Sequence, residues 1–210
     1  MYGRQTRFEG TPAQIEAAVK SFEQNVATKA REIPGNLGIV LIANPQEGKG
    51  IGTTYWTDEK ALQTSAEAMK QVRESSTQSV GTRIVNVDNC KVLSMESAAE
   101  PRAHTFVRMN TLQGNPEQIE AALAAYQKNV LPVLKSLKGF RAATMAANLE
   151  TGNIWVSSIW ETAEDREASD AKLTELRRNT ATSAGAADVK VEKFESFHVE
   201  FKVGATAAAR

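Results

Sequence analysis

The sequence predicts an α+β protein made of two tandem ferredoxin-like βαββαβ units, packed sheet to sheet into a pseudo-two-fold α+β barrel. Three observations carry this. First, the chain repeats itself without a gap, Arg4–Glu96 realigning with Arg108–Glu200 at a constant offset of 104. Second, each copy alternates apolar periods near 2 and near 3.6 in the order β-α-β-β-α-β, the split βαβ plan. Third, such a unit has both helices on one face of its sheet. The other face is partly apolar and exposed unless something covers it, and a second copy on the same chain can do so.

The repeat is dense enough to fix the register. Pro12, Gln14, Ile15, Glu16, Ala17 and Ala18 recur as Pro116, Gln118, Ile119, Glu120, Ala121 and Ala122. Asn25-Val26 recurs as Asn129-Val130, Trp56 as Trp160, Ser65 as Ser169 and Arg73 as Arg177. A period this long makes each copy a domain-sized unit, not one turn of a solenoid. The expected organisation is a first repeat over 1–96, a linker over 97–102, a second repeat over 103–203 and a flexible tail over 204–210.

Each copy opens with a strand, Gly3–Glu9 or Ala103–Leu112. Thr11-Pro12-Ala13-Gln14 and Asn115-Pro116-Glu117-Gln118 then supply a cap, a proline in the first turn and a glutamine three residues after the cap. Ile15, Ala18, Val19, Phe22 and Val26 follow at helical spacing, as do Ile119, Ala122, Leu123, Tyr126 and Val130. Pro132 is expected to kink or shorten the helix of the second copy. Two strands come next, Leu37–Ala43 with Gly50–Thr57 and Arg141–Ala147 with Asn153–Glu161, joined by short turns ending in Gly48 and Gly152. A continuous second helix is expected over Asp58–Ser76 and Ala163–Thr182. A last strand closes each copy, near Gly81–Met95 and Ala187–Phe201.

The bulk properties exclude several functions. The chain has 210 residues, with 25 basic and 25 acidic side chains in balance. No basic excess draws phosphate backbones, so nucleic acid is not expected as a partner. No run approaches the roughly 20 apolar residues that span a bilayer, so no membrane association is expected. The opening MYGRQTRFEG is polar, without a signal-peptide core. The lone Cys90 forms no internal disulfide, and no Cys/His metal spacing exists. The reading is a cytoplasmic protein with no metal and no cofactor, a monomer forming a pseudo-dimeric barrel or a homodimer.

Two segments are similar to a known family. Tyr55-Trp56-Thr57-Asp58-Glu59-Lys60-Ala61-Leu62 and Ile159-Trp160-Glu161-Thr162-Ala163-Glu164 each carry a strand ending in tryptophan that runs into an acidic, Ser/Thr-containing helix start. Lys138-Gly139-Phe140, and Glu150-Thr151-Gly152 beyond the next strand, add to the likeness. The chain resembles the dimeric α+β barrel superfamily, in particular the antibiotic-biosynthesis-monooxygenase group, as a tandem duplication. The resemblance implies small-molecule chemistry, since members include cofactor-independent oxygenases of aromatic substrates and heme-degrading enzymes. One departure matters. Members often carry a histidine nine residues after the motif tryptophan, and here Ser65 and Ser169 stand there. A serine hydroxyl is no general base at neutral pH without a partner.

The ligand-binding candidates come in pairs. Trp56 and Trp160 either stack on a planar ligand or anchor the second helix. Ser65 and Ser169 either hydrogen-bond a ligand or let helix and sheet approach closely. Asn25 and Asn129 either point into a cleft or bond nearby backbone. Arg4 and Arg108 bind a carboxylate or phenolate if they face the barrel interior, and are solvated charges if they face out. His104 and His198 are the only histidines, a metal or acid–base pair at the outside. Cys90 aligns with Phe194, which favours a buried apolar role. Gly50 and Gly52 replace Ile154 and Val156, which suggests a roomier pocket in the first copy. The functional expectation is a protein that handles a small apolar or aromatic molecule, as a monooxygenase-like enzyme acting on an aromatic or quinol. The alternatives are a non-catalytic binding or stress-associated module and a self-associating structural subunit.

Overall fold

The computed structural model describes residues 1–205. Its strands are β1 (Tyr2–Glu9), β2 (Asn36–Asn44), β3 (Lys49–Trp56), β4 (Arg83–Ser97), β5 (Phe106–Gln113), β6 (Phe140–Ala147), β7 (Asn153–Trp160) and β8 (Lys190–Phe201). The helices of the first copy are α1 (Pro12–Phe22), α2 (Thr28–Glu32), α3 (Glu59–Thr64) and α4 (Ala66–Val80). Those of the second are α5 (Ile119–Ala125), α6 (Leu131–Ser136), α7 (Ala163–Ala168) and α8 (Asp170–Ser183). The strands form a closed barrel in the order β1-β3-β2-β8-β5-β7-β6-β4. This is the α+β barrel of two βαββαβ repeats that the duplication implies.

Within each copy the first strand pairs with the third, and the third with the second, all antiparallel. The register repeats at the same offset of 104: Arg4 faces Thr54 and Arg108 faces Ser158. The closing strands cross over. Lys91–Ser97 of β4 pairs with β6, whereas Glu195–Phe201 of β8 pairs with β2. The chain accordingly forms two compact units. Among the described residues the first comprises Met1–Cys90, Pro101–His104 and 194–205, and the second comprises Lys91–Glu100 and Thr105–Lys193.

The two cores are built alike. Phe8, Ile15, Phe22, Ile39, Leu41, Trp56 and Met69 fill the first unit. Leu112, Ile119, Tyr126, Ala143, Met145, Trp160 and Leu173 occupy the same places in the second. Helix α1 begins at the expected capping box. Thr11 Oγ1 accepts from the Gln14 amide, and Gln14 Oε1 accepts from the Thr11 amide at 2.8 Å. In the second copy Asn115 caps a short 3-10 turn, Pro116–Gln118, that leads into α5.

Four expectations are corrected in detail. The second helix of each copy is not continuous: it breaks at Ser65 and Ser169. Each serine hydroxyl donates to the carbonyl three residues back, Leu62 at 2.7 Å and Arg166 at 2.6 Å. Such local bonds compete with the helical ladder. Pro132 is not the cause of the irregular first helix. A π-helical turn interrupts both copies, at Glu23–Ala27 and Tyr126–Val130, and the first copy has Thr28 where the second has Pro132. Strand β5 starts at Phe106 rather than Ala103, because His104 turns the chain with a φ of 57°. The last strands start later than expected, at Arg83 and Lys190, because the preceding helices run on to Val80 and Ser183. The expected frayed tail lies, from residue 206 on, outside the described residues.

The glycines ending the β2–β3 and β6–β7 turns are required by two constraints at once. Gly48 and Gly152 have φ of +65° and +79°, and a Cβ on either would collide with the carbonyl oxygen of Gly10 or Gly114. Those same pairs hold the turns down, the Gly10 amide donating to Gly48 O at 3.0 Å and the Gly114 amide to Gly152 O at 2.9 Å. Replacing Gly48 or Gly152 by Ala is expected to lower the unfolding free energy by at least ~1–2 kcal/mol, the cost of a left-handed residue with a Cβ. Urea denaturation of the two single variants checks this, and equal stability of variant and parent would contradict it.

Candidate functional site

The candidate site in each unit lies between the helices and one sheet face. Alternation along β1 puts Arg4, Thr6 and Phe8 on that face, and along β5 it puts Arg108, Asn110 and Leu112 there. The arginines therefore take neither of the two orientations weighed from sequence. They point into the helix layer and are almost fully buried, Arg4 5% and Arg108 1% exposed.

A buried guanidinium needs partners, and the helix break supplies them. Arg4 Nη1 donates to Ser65 Oγ at 2.9 Å and Nη2 to Leu62 O at 2.7 Å. Arg108 makes the matching pair, to Ser169 Oγ at 2.6 Å and Arg166 O at 2.6 Å. Leu62 and Arg166 lie in the last turns of α3 and α7, where carbonyls lack helical donors and a cation is favoured. Arg4 Nε also donates to Asn89 Oδ1 at 3.1 Å. Burial, with Arg73 nearby, pulls Arg4 down to about 10. Arg108 is lowered by burial and partly restored by Asp170. Both remain cations at neutral pH.

Beside each arginine is a small cavity. In the first unit it measures about 50 Å³, walled by Thr6, Phe22, Val26, Gly52, Met69, Arg73 and Ser76 among others. In the second it measures about 40 Å³, walled by Asn110, Tyr126, Val130, Val156, Leu173, Arg177 and Thr180 among others. Each has room for a few waters or a small apolar group. The π turns help shape them, placing Phe22 with Val26 and Tyr126 with Val130 on the wall.

The expected extra room at Gly50 and Gly52 is mostly taken. The Phe8 ring lies where a Gly50 side chain would be, and a Cβ on Gly52 would meet Phe22 at 3.2 Å. Only Gly52 contributes to the cavity wall.

The polar interiors differ between copies. In the second, three buried atoms on the cavity residues lack hydrogen-bond partners: Arg108 Nε, Asn110 Oδ1 and Tyr126 Oη. Asn110 Nδ2 is already used, donating to Val156 O at 3.1 Å. Burial, then Glu96, pushes the Tyr126 phenol well above its ordinary range, so it stays a donor. In the first unit Thr6 and Phe22 replace Asn110 and Tyr126, and Ser76 Oγ is the unpartnered atom on the wall.

Of the sequence candidates, the structure brings Arg4 to Ser65 and Arg108 to Ser169. Trp56 and Trp160 are wholly buried, and neither lines its unit's cavity. Their indole N–H groups donate within their own strands, to Thr54 Oγ1 at 3.1 Å and Ser158 Oγ at 3.0 Å. Asn25 and Asn129 are exposed on the π turns. His104 and His198 each meet a separate carboxylate, Glu195 at 3.1 Å and Glu23 at 2.8 Å. Among the described residues no three His, Cys, Asp or Glu side chains cluster as a metal site. Sequence reasoning missed Asn110, the hydroxyl of Tyr126, Asp170 and the Arg73/Arg177 pair. The identity of Arg73 and Arg177 across the repeat was the available signal for the last.

Comparisons with known proteins agree with this architecture. Residues 105–172 match the family model described as antibiotic biosynthesis monooxygenase. The uncharacterized protein Rv2558 of Mycobacterium tuberculosis is 26% identical over 201 residues, covering 93% of this chain and 83% of that protein. The solved structure of an anthrone oxidase-like protein superposes with a TM-score of 0.67 at 14% identity, covering 95% of this chain and 93% of the other. A proposed monooxygenase from Lactobacillus acidophilus gives a TM-score of 0.66 at 9% identity, covering 95% and 96%. At these identities the solved structures speak for the fold alone.

Two expected outcomes follow from the buried groups. Ser169→Ala removes an acceptor from a buried cation and is expected to cost ~1–3 kcal/mol. In Arg108→Met the same serine change should cost much less, so a double-mutant cycle by urea unfolding reports the coupling, and additive losses would count against it. Burial, with Asp88, pushes the Cys90 thiol up to about 12 from an ordinary 9.0. A raised folded value means the stabilising protonated thiol is fully held below pH 9 and its contribution is lost as pH rises toward 12. Iodoacetamide at pH 8 should label Cys90 far faster in denaturant than in buffer, and equal rates would refute the assignment. The fold and the repeat converge: the chain is an α+β barrel of two tandem copies, and the stretch 105–172 of its second copy matches the antibiotic biosynthesis monooxygenase model.

Proposed function

We propose that this protein handles a small, largely apolar molecule in the cavities between helices and sheet, with the second unit as the reaction site. The observation that carries this is the set of unpartnered atoms, Arg108 Nε, Asn110 Oδ1 and Tyr126 Oη, on the wall of one apolar cavity. Buried polar groups are rarely left unsatisfied in a finished interior. Two donors and one acceptor suit a hydroxyl or phenol oxygen, which accepts from Arg108 or Tyr126 and donates to Asn110.

The finer reading is a cofactor-independent oxygenase of an aromatic or quinol substrate. The arginine charge stabilises negative charge developing on the oxygen of a bound phenol as its electron and hydroxyl proton pass to dioxygen, so the substrate itself is the reductant. The enzyme then supplies orientation and a water-poor site. The names of the structural neighbours, an anthrone oxidase-like protein and a proposed monooxygenase, support this chemistry. A purely binding role is the second reading. It is favoured by the aligned serines Ser65 and Ser169 spending their hydroxyls on arginine and backbone.

Native mass spectrometry of the freshly purified chain, compared with its denatured mass, is expected to show added mass that is lost on denaturation. Tyr126→Phe should weaken capture of a one-ring phenol about tenfold, the worth of one buried hydrogen bond of ~1.4 kcal/mol. An unchanged affinity would remove the polar triad from the argument. Oxygen uptake with hydroquinone then separates the readings, since binding without uptake favours the non-catalytic one.

A further inference from the structure

The two cavities are not electrically equivalent. In the second unit Asp170 sits between two arginines, its Oδ1 3.5 Å from Arg108 Nη2 and 2.5 Å from Arg177 Nη2. Both arginines line the cavity. Burial would raise Asp170, but the hydrogen bond and charge of Arg177, with Arg108, hold it below the usual carboxylate range. One carboxylate therefore neutralises much of the mouth.

The first unit keeps both cations and drops the anion. Arg4 and Arg73 line its cavity in the places of Arg108 and Arg177. The residue aligned with Asp170 is Ala66, at the exposed start of α4, and the residue aligned with Glu167 is Gln63. Arg4 bonds only neutral groups, Ser65, Leu62 O and Asn89. The Arg73 guanidinium makes no hydrogen bond or ion pair with the described residues. Glu74, next in sequence, is exposed and acts on Arg73 through its charge without a direct ion pair. Each of the two arginines lowers its affinity for protons through burial. Behind them the cavity is apolar, with Phe22, Met69 and Val80 on its wall and Ser76 Oγ unpartnered.

We propose that the first unit binds a short aliphatic or one-ring monocarboxylate, its carboxylate bridging Arg4 and Arg73 where the second unit has the Asp170 side chain. The tail enters the cavity past Phe22. A planar carboxylate matches guanidinium donors better than any neutral head group of equal size. Arg4 retains two N–H donors beyond its three bonds, and Arg73 retains all five. The second unit thus carries, as part of its own chain, a stand-in for the ligand of the first. This inference rests on the reading that the cavities take small molecules.

The test is isothermal titration of the full chain with hexanoate and with neutral hexanamide. Hexanoate is expected to bind at least tenfold more tightly, and to weaken as salt rises. Ala66→Asp should bring hexanoate down to the hexanamide affinity and leave hexanamide unchanged. An acid at the first position of a helix is well tolerated. The reciprocal Asp170→Ala should raise the hexanoate stoichiometry from one to two, which keeps the test open should the first variant fold poorly. Equal binding of acid and amide would overturn the carboxylate assignment while leaving the cavity as a ligand site. Hexanoate binding unaffected by Ala66→Asp would also overturn it. Binding of neither probe would remove the ligand-site reading itself.

Discussion

The arginine of each first strand, clasped by the serine at a helix break, holds the two layers of each unit in one arrangement. Arg4 and Arg108 leave the sheet and reach the carbonyls and hydroxyls freed where the second helix is interrupted. The break and the charge need each other. An uninterrupted helix would have no free carbonyl at Leu62 or Arg166, and a buried guanidinium without acceptors would be several kcal/mol unfavourable. The serine hydroxyl solves both, donating back to the helix while accepting from the arginine. The cavity beside it follows, since a charged group held rigidly at one end cannot collapse to fill the space.

This arrangement explains why the fold was legible in the sequence and the site only half so. The repeat, the capping box at Thr11 and the glycine-ended turns are local signals, and local signals survive into the structure with little change. Arg4, Ser65, Arg108 and Ser169 were visible as matched pairs, but their partnership was not. It depends on which sheet face meets the helices, and alternation gives the phase of a strand without saying what covers each face. The tryptophans illustrate the converse. A large ring at a strand end reads equally as ligand platform or anchor, and its fate turned on Thr54 and Ser158, two residues back on the same strand face. The crossing of β4 and β8 to pair with the other copy's second strand was beyond reach for a related reason. Pairing of a long terminal strand is set by which edges remain open, a property of the assembled barrel.

Duplication separates what the frame requires from what each copy is free to change. The clasp, the tryptophan anchor and the turn glycines are kept in both copies because each copy folds by them. The groups around the cavity mouth are not kept: Ala66, Gln63 and Asn89 stand where the second copy has Asp170, Glu167 and Lys193. In the second copy these charges pair among themselves, Lys193 with Glu167 at 2.5 Å and Arg177 with Asp170 at 2.5 Å. In the first copy all of the corresponding carboxylates and the lysine are gone, while both arginines remain. The clasp keeps Arg4, but it makes no use of the half-buried Arg73. Retention of Arg73 with no direct ion pair is the part that the frame does not account for.

The helical irregularities point the same way. A π turn costs hydrogen-bond geometry and is rare outside functional positions, yet both copies have one at nearly the same place, with and without proline. In each, the π turn supplies one wall residue, Val26 or Val130, and the helix after the break supplies another, Met69 or Leu173. A sequence under selection for stability alone would straighten these helices and pack the gap, gaining dispersion contacts along the whole face. Two copies that have diverged this far in sequence share both interruptions. The shared feature is therefore the opening between helix and sheet, and the residues that differ around it set what each opening accepts.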